Sequence, residues 1–176
     1  MRLRGKRVAY LVEEGFEDLE FWVPLMRLQE EGADVVIVGT GRQPTFRGKH
    51  CLQATPHTTA DRVRAADFDA VVIPGGWAPD KLRRVDAVKQ LVREAYEQGK
   101  VIGAICHAGW VPISAGIVRG HRATGSSAIK DDLENAGATW VDAPAFRDGN
   151  IVWGRVVEDI PHFCRELVAA IAAGNE

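Results

Sequence analysis

The stretch VIGAICHAGWV, residues 101–111, decides the fold. Val101 to Ile105 suit a strand buried on both faces, and that strand ends on Cys106 and His107. Small residues flank the thiol: Gly103 and Ala104 before it, Ala108 and Gly109 after it. A helical segment follows, to about Gly116. A buried strand turning sharply into a helix predicts an elbow, where a strained backbone pushes a nucleophile into a crevice. Free N–H groups at the start of the helix favour a thiolate, which predicts a lowered thiol pKa. The other reading of Cys106 is a buried structural cysteine. His107 can reach the sulfur only if the chain turns here; it is then a base or leaving-group acid, and otherwise a local hydrogen-bonding residue.

Outward from this stretch, strand-like and helix-like runs alternate. Residues 6–12, 33–39 and 68–76 read as buried strands, the last ending in Gly75-Gly76. Residues 18–32 read as a helix closed by Gly32. Residues 86–100 read as an amphipathic helix with Val88, Leu91, Val92 and Ala95 on one face. Residues 40–57 look like a hairpin or irregular excursion, 121–125 like a short strand, and 127–138 like a helix closed by Gly137. Residues 139–154 hold two strands joined at Asp148-Gly149-Asn150. Over 157–173, Ile160, Phe163, Leu167 and Ile171 form a helical stripe. This alternation predicts an α/β fold, a mostly parallel sheet with helices on both faces, as a single domain over 1–176. Ligands in such sheets bind beyond the carboxyl ends of the strands. Three ends stand out: Glu13–Glu20, Gly75–Asp80 and Cys106–Gly109.

The bulk numbers bound the function. The 176 residues are 46% hydrophobic and 26% charged, enough for a folded core. A net charge of −2 with no basic run argues against nucleic-acid or anionic-membrane partners. No apolar run spans a bilayer, and the N-terminal one is broken by Glu13 and Glu14. Cys51, Cys106 and Cys164 are an odd count without a CxxC pair, so a reducing cytoplasm is the default.

Two further stretches carry chemistry. In IPGGWAPD, Gly75 and Gly76 let the backbone approach a ligand and present N–H groups opposite a thiolate; an ordinary turn uses the same pair. Asp80 follows, near a helix start. In EEGFEDLEFWVP, Glu20 lies within the apolar run Leu19-Glu20-Phe21-Trp22-Val23. Facing inward, it would be desolvated and stay protonated, able to donate to the sulfur; on the surface it would be an ordinary helix Glu. Pro24 removes the N–H that the Glu20 carbonyl would accept, which predicts a kink. His50, Cys51 and His57 match no trusted metal-ligand spacing, so no metal is expected.

These pieces resemble the DJ-1/PfpI family, its PfpI-like branch, within the class I glutamine amidotransferase-like superfamily. The matching stretches are GFEDLEF, TFRGKH, FDAVVIPGG, QGKVIGAICH, ISAGIVRG, IKDDLENAGATWVD and DGNIV. The resemblance implies a flavodoxin-like three-layer sandwich with an oxidation-sensitive nucleophile-elbow cysteine, here Cys106 with His107 beside it. It further implies Glu20 as the carboxyl touching the cysteine, Glu17 as a nearby acid, and Gly75 and Gly76 as the backbone facing it. Asp80 matches the acidic residue that reaches His107 across a subunit interface in PfpI-like oligomers, though one methylene shorter. Ser126 stands where many relatives have a site-lining Tyr or His. Trp77, Trp110 and Trp153 would turn polar pocket surface aromatic, or pack in the core.

What the resemblance implies for function is an enzyme of the glyoxalase or deglycase type, acting on reactive aldehydes or their protein adducts, with no cofactor. An intracellular peptidase using Cys106, His107 and an acid from a neighbouring subunit is the second reading. A redox sensor or chaperone without turnover is the third. A cytoplasmic homodimer or larger homo-oligomer is expected, with residues 40–57 contributing to dimerisation.

Overall fold

The strand predicted at 101–105 forms over those residues and lies inside a seven-stranded sheet. The computed structural model describes residues 1–174; the last two residues of the expected 1–176 domain lie outside the described residues. In chain order the elements are β1 (Arg7–Leu11), α1 (Asp18–Glu30), β2 (Asp34–Gly39), β3 (Phe46–Arg47), β4 (Gln53–Ala54) and β5 (Thr58–Thr59). Then come β6 (Ala70–Ile73), α2 (Ala78–Leu82), α3 (Asp86–Glu97), β7 (Val101–Ile105), α4 (Trp110–Ala115) and β8 (Arg122–Ala123). The chain continues through α5 (Lys130–Asn135), β9 (Thr139–Trp140), β10 (Ala145–Asp148), β11 (Ile151–Gly154) and α6 (Ile160–Ala173).

The main sheet runs β10-β11-β7-β6-β1-β2-β5. Every pair in it is parallel except β10 with β11, the hairpin turned at Gly149 and Asn150. Helices α1 and α6 pack together against the sheet, and α3 and α4 form a second packed pair. This is the predicted α/β sandwich. The apolar spacing places the helices as expected: α3 buries Val88, Leu91, Val92 and Ala95, and α6 buries Ile160, Phe163, Leu167 and Ile171. Residues 139–154 hold one strand more than the two expected, because Thr139–Trp140 pairs with β8 in a separate ribbon. The 40–57 excursion is mainly the β3–β4 hairpin, followed by β5 on the sheet edge. Among the described residues, no helix is long and apolar enough to cross a membrane.

The order in which strands are added reverses at the sheet centre: β2 lies on one side of β1 and β6 on the other. That switch opens a crevice beyond the carboxyl ends of β1, β6 and β7. The loops leaving those strands are the three singled out in the sequence.

Helix α1 passes Pro24 without leaving an orphaned carbonyl. The Tyr10 hydroxyl, buried on β1, donates to the Glu20 carbonyl at 2.7 Å. It replaces the N–H that proline lacks, and so ties the helix carrying Glu20 to the central strand. Tyr10→Phe keeps the ring contact with Phe21 but leaves that carbonyl buried and unpaired. The variant is expected to lose about 1–3 kcal/mol in urea unfolding. An unchanged midpoint would show that the bond contributes nothing.

Candidate active site

Cys106 follows directly on β7 and holds a left-handed backbone, φ +60°, although it is not glycine. Such a conformation costs about 1–3 kcal/mol and persists only where the surroundings fix it. Here the Ser126 N–H donates to the Cys106 carbonyl at 3.2 Å. A 3₁₀ turn, Cys106–Gly109, then leads into α4. The expected elbow is thus present in the backbone, with the thiol half-buried at the crevice.

Glu20 points inward from α1 and is fully buried. Its Oε1 accepts the Gly75 N–H at 2.9 Å. Its Oε2 is buried without a hydrogen-bond partner, and the carboxyl and the Cys106 thiol influence each other's titration. A Cβ on Gly75 would fall 2.3 Å from Glu20 Oε1 and 3.0 Å from the Cys106 Cβ, so only glycine admits both side chains. Gly76 is constrained differently: its φ is +78°, and a Cβ there would strike the Glu17 backbone nitrogen at 2.4 Å. Phe16 and Gly76 form an antiparallel bridge that locks the loop after β1 onto the loop after β6. The twin glycines therefore divide their work. The Gly75 N–H is spent on Glu20, while the Gly76 N–H has no partner among the described residues.

Burial, aided by the Glu17 charge, pushes the Glu20 carboxyl up to about 8. Most of it is therefore protonated at neutral pH. Burial also pushes the Cys106 thiol up, to about 12, with the Glu20 charge adding to it and the His107 backbone N–H opposing. This corrects the expectation of a lowered thiol pKa. The helix meant to stabilise a thiolate is a 3₁₀ turn plus six residues, and desolvation beside a carboxyl outweighs it. His107 places Nδ1 3.3 Å from the sulfur. Burial, with the Lys49 charge, pulls its imidazole below the usual range, so it is neutral at neutral pH and can accept a proton.

Glu17 is the N-cap of α1, accepting the Leu19 and Glu20 N–H groups at 2.8 and 3.0 Å. Trp77, Trp110 and Asp80 border the same cavity, of about 840 Å³, that holds Cys106 and His107. The Asp80 carboxylate pairs with Arg84 and makes no contact with His107 within the protomer. Ser126, expected in the pocket, instead lies behind Cys106 and caps the turn at Ala128, outside the cavity wall. Trp153 is buried in the core. The sequence does not place Lys49 and His50 in the site, yet the β3–β4 hairpin carries both to the cavity, and it does not mark the wall formed by Val156, Val157 and Glu158. Nothing local in the hairpin sequence marks them; the signal lies in Asp18, whose carboxylate binds the His50 and Leu52 N–H groups. Glu17, Asp18 and His50 bring potential metal-ligating atoms within 4.8 Å of one another, but both carboxylates are already engaged with backbone N–H groups.

A parallel sheet that delivers a cysteine through a left-handed residue, against a carboxyl held by a glycine amide, defines an α/β elbow protein of the cysteine type. The chain belongs to the DJ-1/PfpI family, whose model matches residues 6–170. It is 41% identical over 162 residues to a deglycase of Pyrococcus horikoshii, covering 92% of this chain and 97% of that protein. It is 34% identical over 171 residues to Protein/nucleic acid deglycase 2 of Escherichia coli, covering 96% and 99%. Among solved structures, it matches a two-domain protein of Anabaena variabilis containing DJ-1/ThiJ/PfpI-like and ferritin-like domains. There the TM-score is 0.91 at 40% identity over 93% of this chain and 47% of that one.

Proposed function

We propose that this protein is a deglycase-type enzyme that uses Cys106 to attack reactive 2-oxoaldehydes or their adducts on protein side chains. The observation that carries the reading is the sulfur between a protonated carboxyl and a neutral imidazole, Glu20 and His107. One group can give a proton and the other can take one. The names of the deglycase relatives point the same way. The E. coli relative's name adds glycated nucleic acid to the substrates to test, although this chain's net charge of −2 gives no electrostatic support for a duplex partner.

In this mechanism, Cys106 Sγ bonds to the aldehyde carbon while its proton passes to His107 Nδ1. The carbonyl π pair becomes an alkoxide, which takes the Glu20 proton; in this reading the unpartnered N–H of Gly76, a residue of the cavity lining, stabilises the developing charge. The Glu20 carboxylate then takes the hydrogen on the former aldehyde carbon as a proton while the His107 imidazolium protonates the neighbouring carbonyl oxygen, giving an enediol. Glu20 returns its proton to the adjacent carbon as the hydroxyl on the sulfur-bearing carbon gives its own to His107. The product is a thioester. Water cleaves it, a 2-hydroxy acid leaves, the thiol is restored, and the acid proton of the final product restores Glu20. The sum consumes one water and no external oxidant or reductant. The peptidase reading needs an acid orienting His107, and within the protomer Asp80 is committed to Arg84.

The test is lactate formation from methylglyoxal across pH. A protonated Glu20 is the required donor and a neutral His107 the required base, so kcat/KM is expected to hold from neutral pH up to about 8 and to fall in acid as the imidazole takes its proton. Above about 8, the rate is expected to fall about tenfold per pH unit. Absence of lactate from the native protein, or a rate that climbs steadily with alkalinity, contradicts the proposal.

A further inference from the structure

We propose that Lys49 is a specificity-determining residue of this cavity, its ammonium selecting electrophiles that carry a negative charge beside the carbon attacked by Cys106. The proposal rests on the reading of Cys106 as a nucleophile. Lys49 sits at the tip of the β3–β4 hairpin, and its backbone is fixed: its N–H donates to the Phe16 carbonyl at 2.9 Å. Asp18 holds the residues that follow, accepting the His50 N–H at 2.8 Å and the Leu52 N–H at 2.9 Å. From this braced tip the side chain reaches the cavity, where Nζ stands 5.4 Å from the centre of the Trp77 ring. An aromatic face holds a cation without neutralising it.

The charges around the cavity leave this ammonium available. From α1, Glu17 caps the helix through one oxygen and faces His50 at 3.5 Å through the other. Glu20, also on α1, is mostly uncharged at neutral pH. From α2, Asp80 is paired with Arg84. Glu158, His107 and Cys106 line the same cavity. Among the described residues Lys49 makes no ion pair. Although burial dominates at both Glu20 and Cys106, the Lys49 charge favours their anionic forms, which places it within electrostatic reach of the reacting atoms. The ligand class that fits is a 2-oxoaldehyde, or its adduct, that also bears a carboxylate near the electrophilic carbon, preferred over a neutral 2-oxoaldehyde.

Two alkylating reagents of nearly equal size isolate the effect: iodoacetate, which is anionic, and iodoacetamide, which is neutral. With either one, the S–C bond forms, iodide leaves and the thiol proton goes to solvent. The full chain carrying Cys51→Ser removes the exposed thiol, and mass spectrometry reads modification of the Cys106 peptide. Lys49→Gln is expected to lower the iodoacetate-to-iodoacetamide rate ratio about 3- to 10-fold. Lys49→Arg is expected to keep the ratio within about twofold, and roughly 0.5 M salt to shrink the difference. A ratio unchanged in Lys49→Gln, or equal slowing of both reagents, overturns the selectivity. Failure of both reagents to modify Cys106 in the parent overturns the nucleophile reading itself, and the proposal with it.

Discussion

Cys106→Ser is expected to lower kcat/KM for lactate formation by at least about 10³-fold while leaving unfolding free energy within about 1 kcal/mol of the parent. The two expectations separate chemistry from scaffolding. Serine retains a Cβ, so the strained φ of +60° and the carbonyl bond from Ser126 are kept. What is lost is sulfur. A thiol attacks carbonyl carbon with far less activation than a hydroxyl, and the base beside it is the imidazole at 3.3 Å, itself weakened by burial. The comparison variant is Cys51→Ser. Cys51 also has a positive φ, +73°, but it is exposed at the hairpin tip, and its loss should leave the rate unchanged. Residual activity of Cys106→Ser within tenfold of the parent would remove the sulfur from the mechanism.

The sequence made the sheet legible because buried parallel strands are short apolar runs, and such runs have few other uses. The 101–105 strand falls on its predicted residues, and Glu20 faces inward as its apolar neighbours suggested. Properties set by distant contacts were not legible. Pro24 signalled a missing donor, but nothing near it pointed to Tyr10, on β1, as the replacement. The twin glycines were read as one pair of free amides, yet the Gly75 amide is taken by a carboxyl 55 residues away in sequence. The direction of the Cys106 shift depends on how deeply the elbow is enclosed, which local spacing does not encode. Lys49 and His50 reach the cavity only because a hairpin folds back over α1.

Glu20→Gln should be more stable than the parent in alkali and no different in acid, and it should lose about 10²-fold in activity. The carboxyl is fully buried, and its pKa rises from 4.5 to about 8, chiefly through desolvation. Between those values the folded protein keeps a proton that the unfolded chain releases. Folding stability therefore falls as pH rises through this window, by up to about 1.4 kcal/mol per unit, and levels off above about 8. The accumulated loss is roughly 3–5 kcal/mol, the cost of enclosing a charge whose Oε2 has no full hydrogen-bond partner. Glutamine can still accept the Gly75 N–H through its carbonyl, and it never ionises. Every other titrating group is common to the two proteins, so the difference between their urea midpoints across pH isolates this one carboxyl. Parallel stability curves between about pH 4 and 9 would mean that Glu20 titrates like a solvated acid. The proton donor assigned to the reaction would then be absent at neutral pH. A diverging pair of curves with full activity in the variant would separate the two roles instead: a real burial cost, and no part in proton transfer.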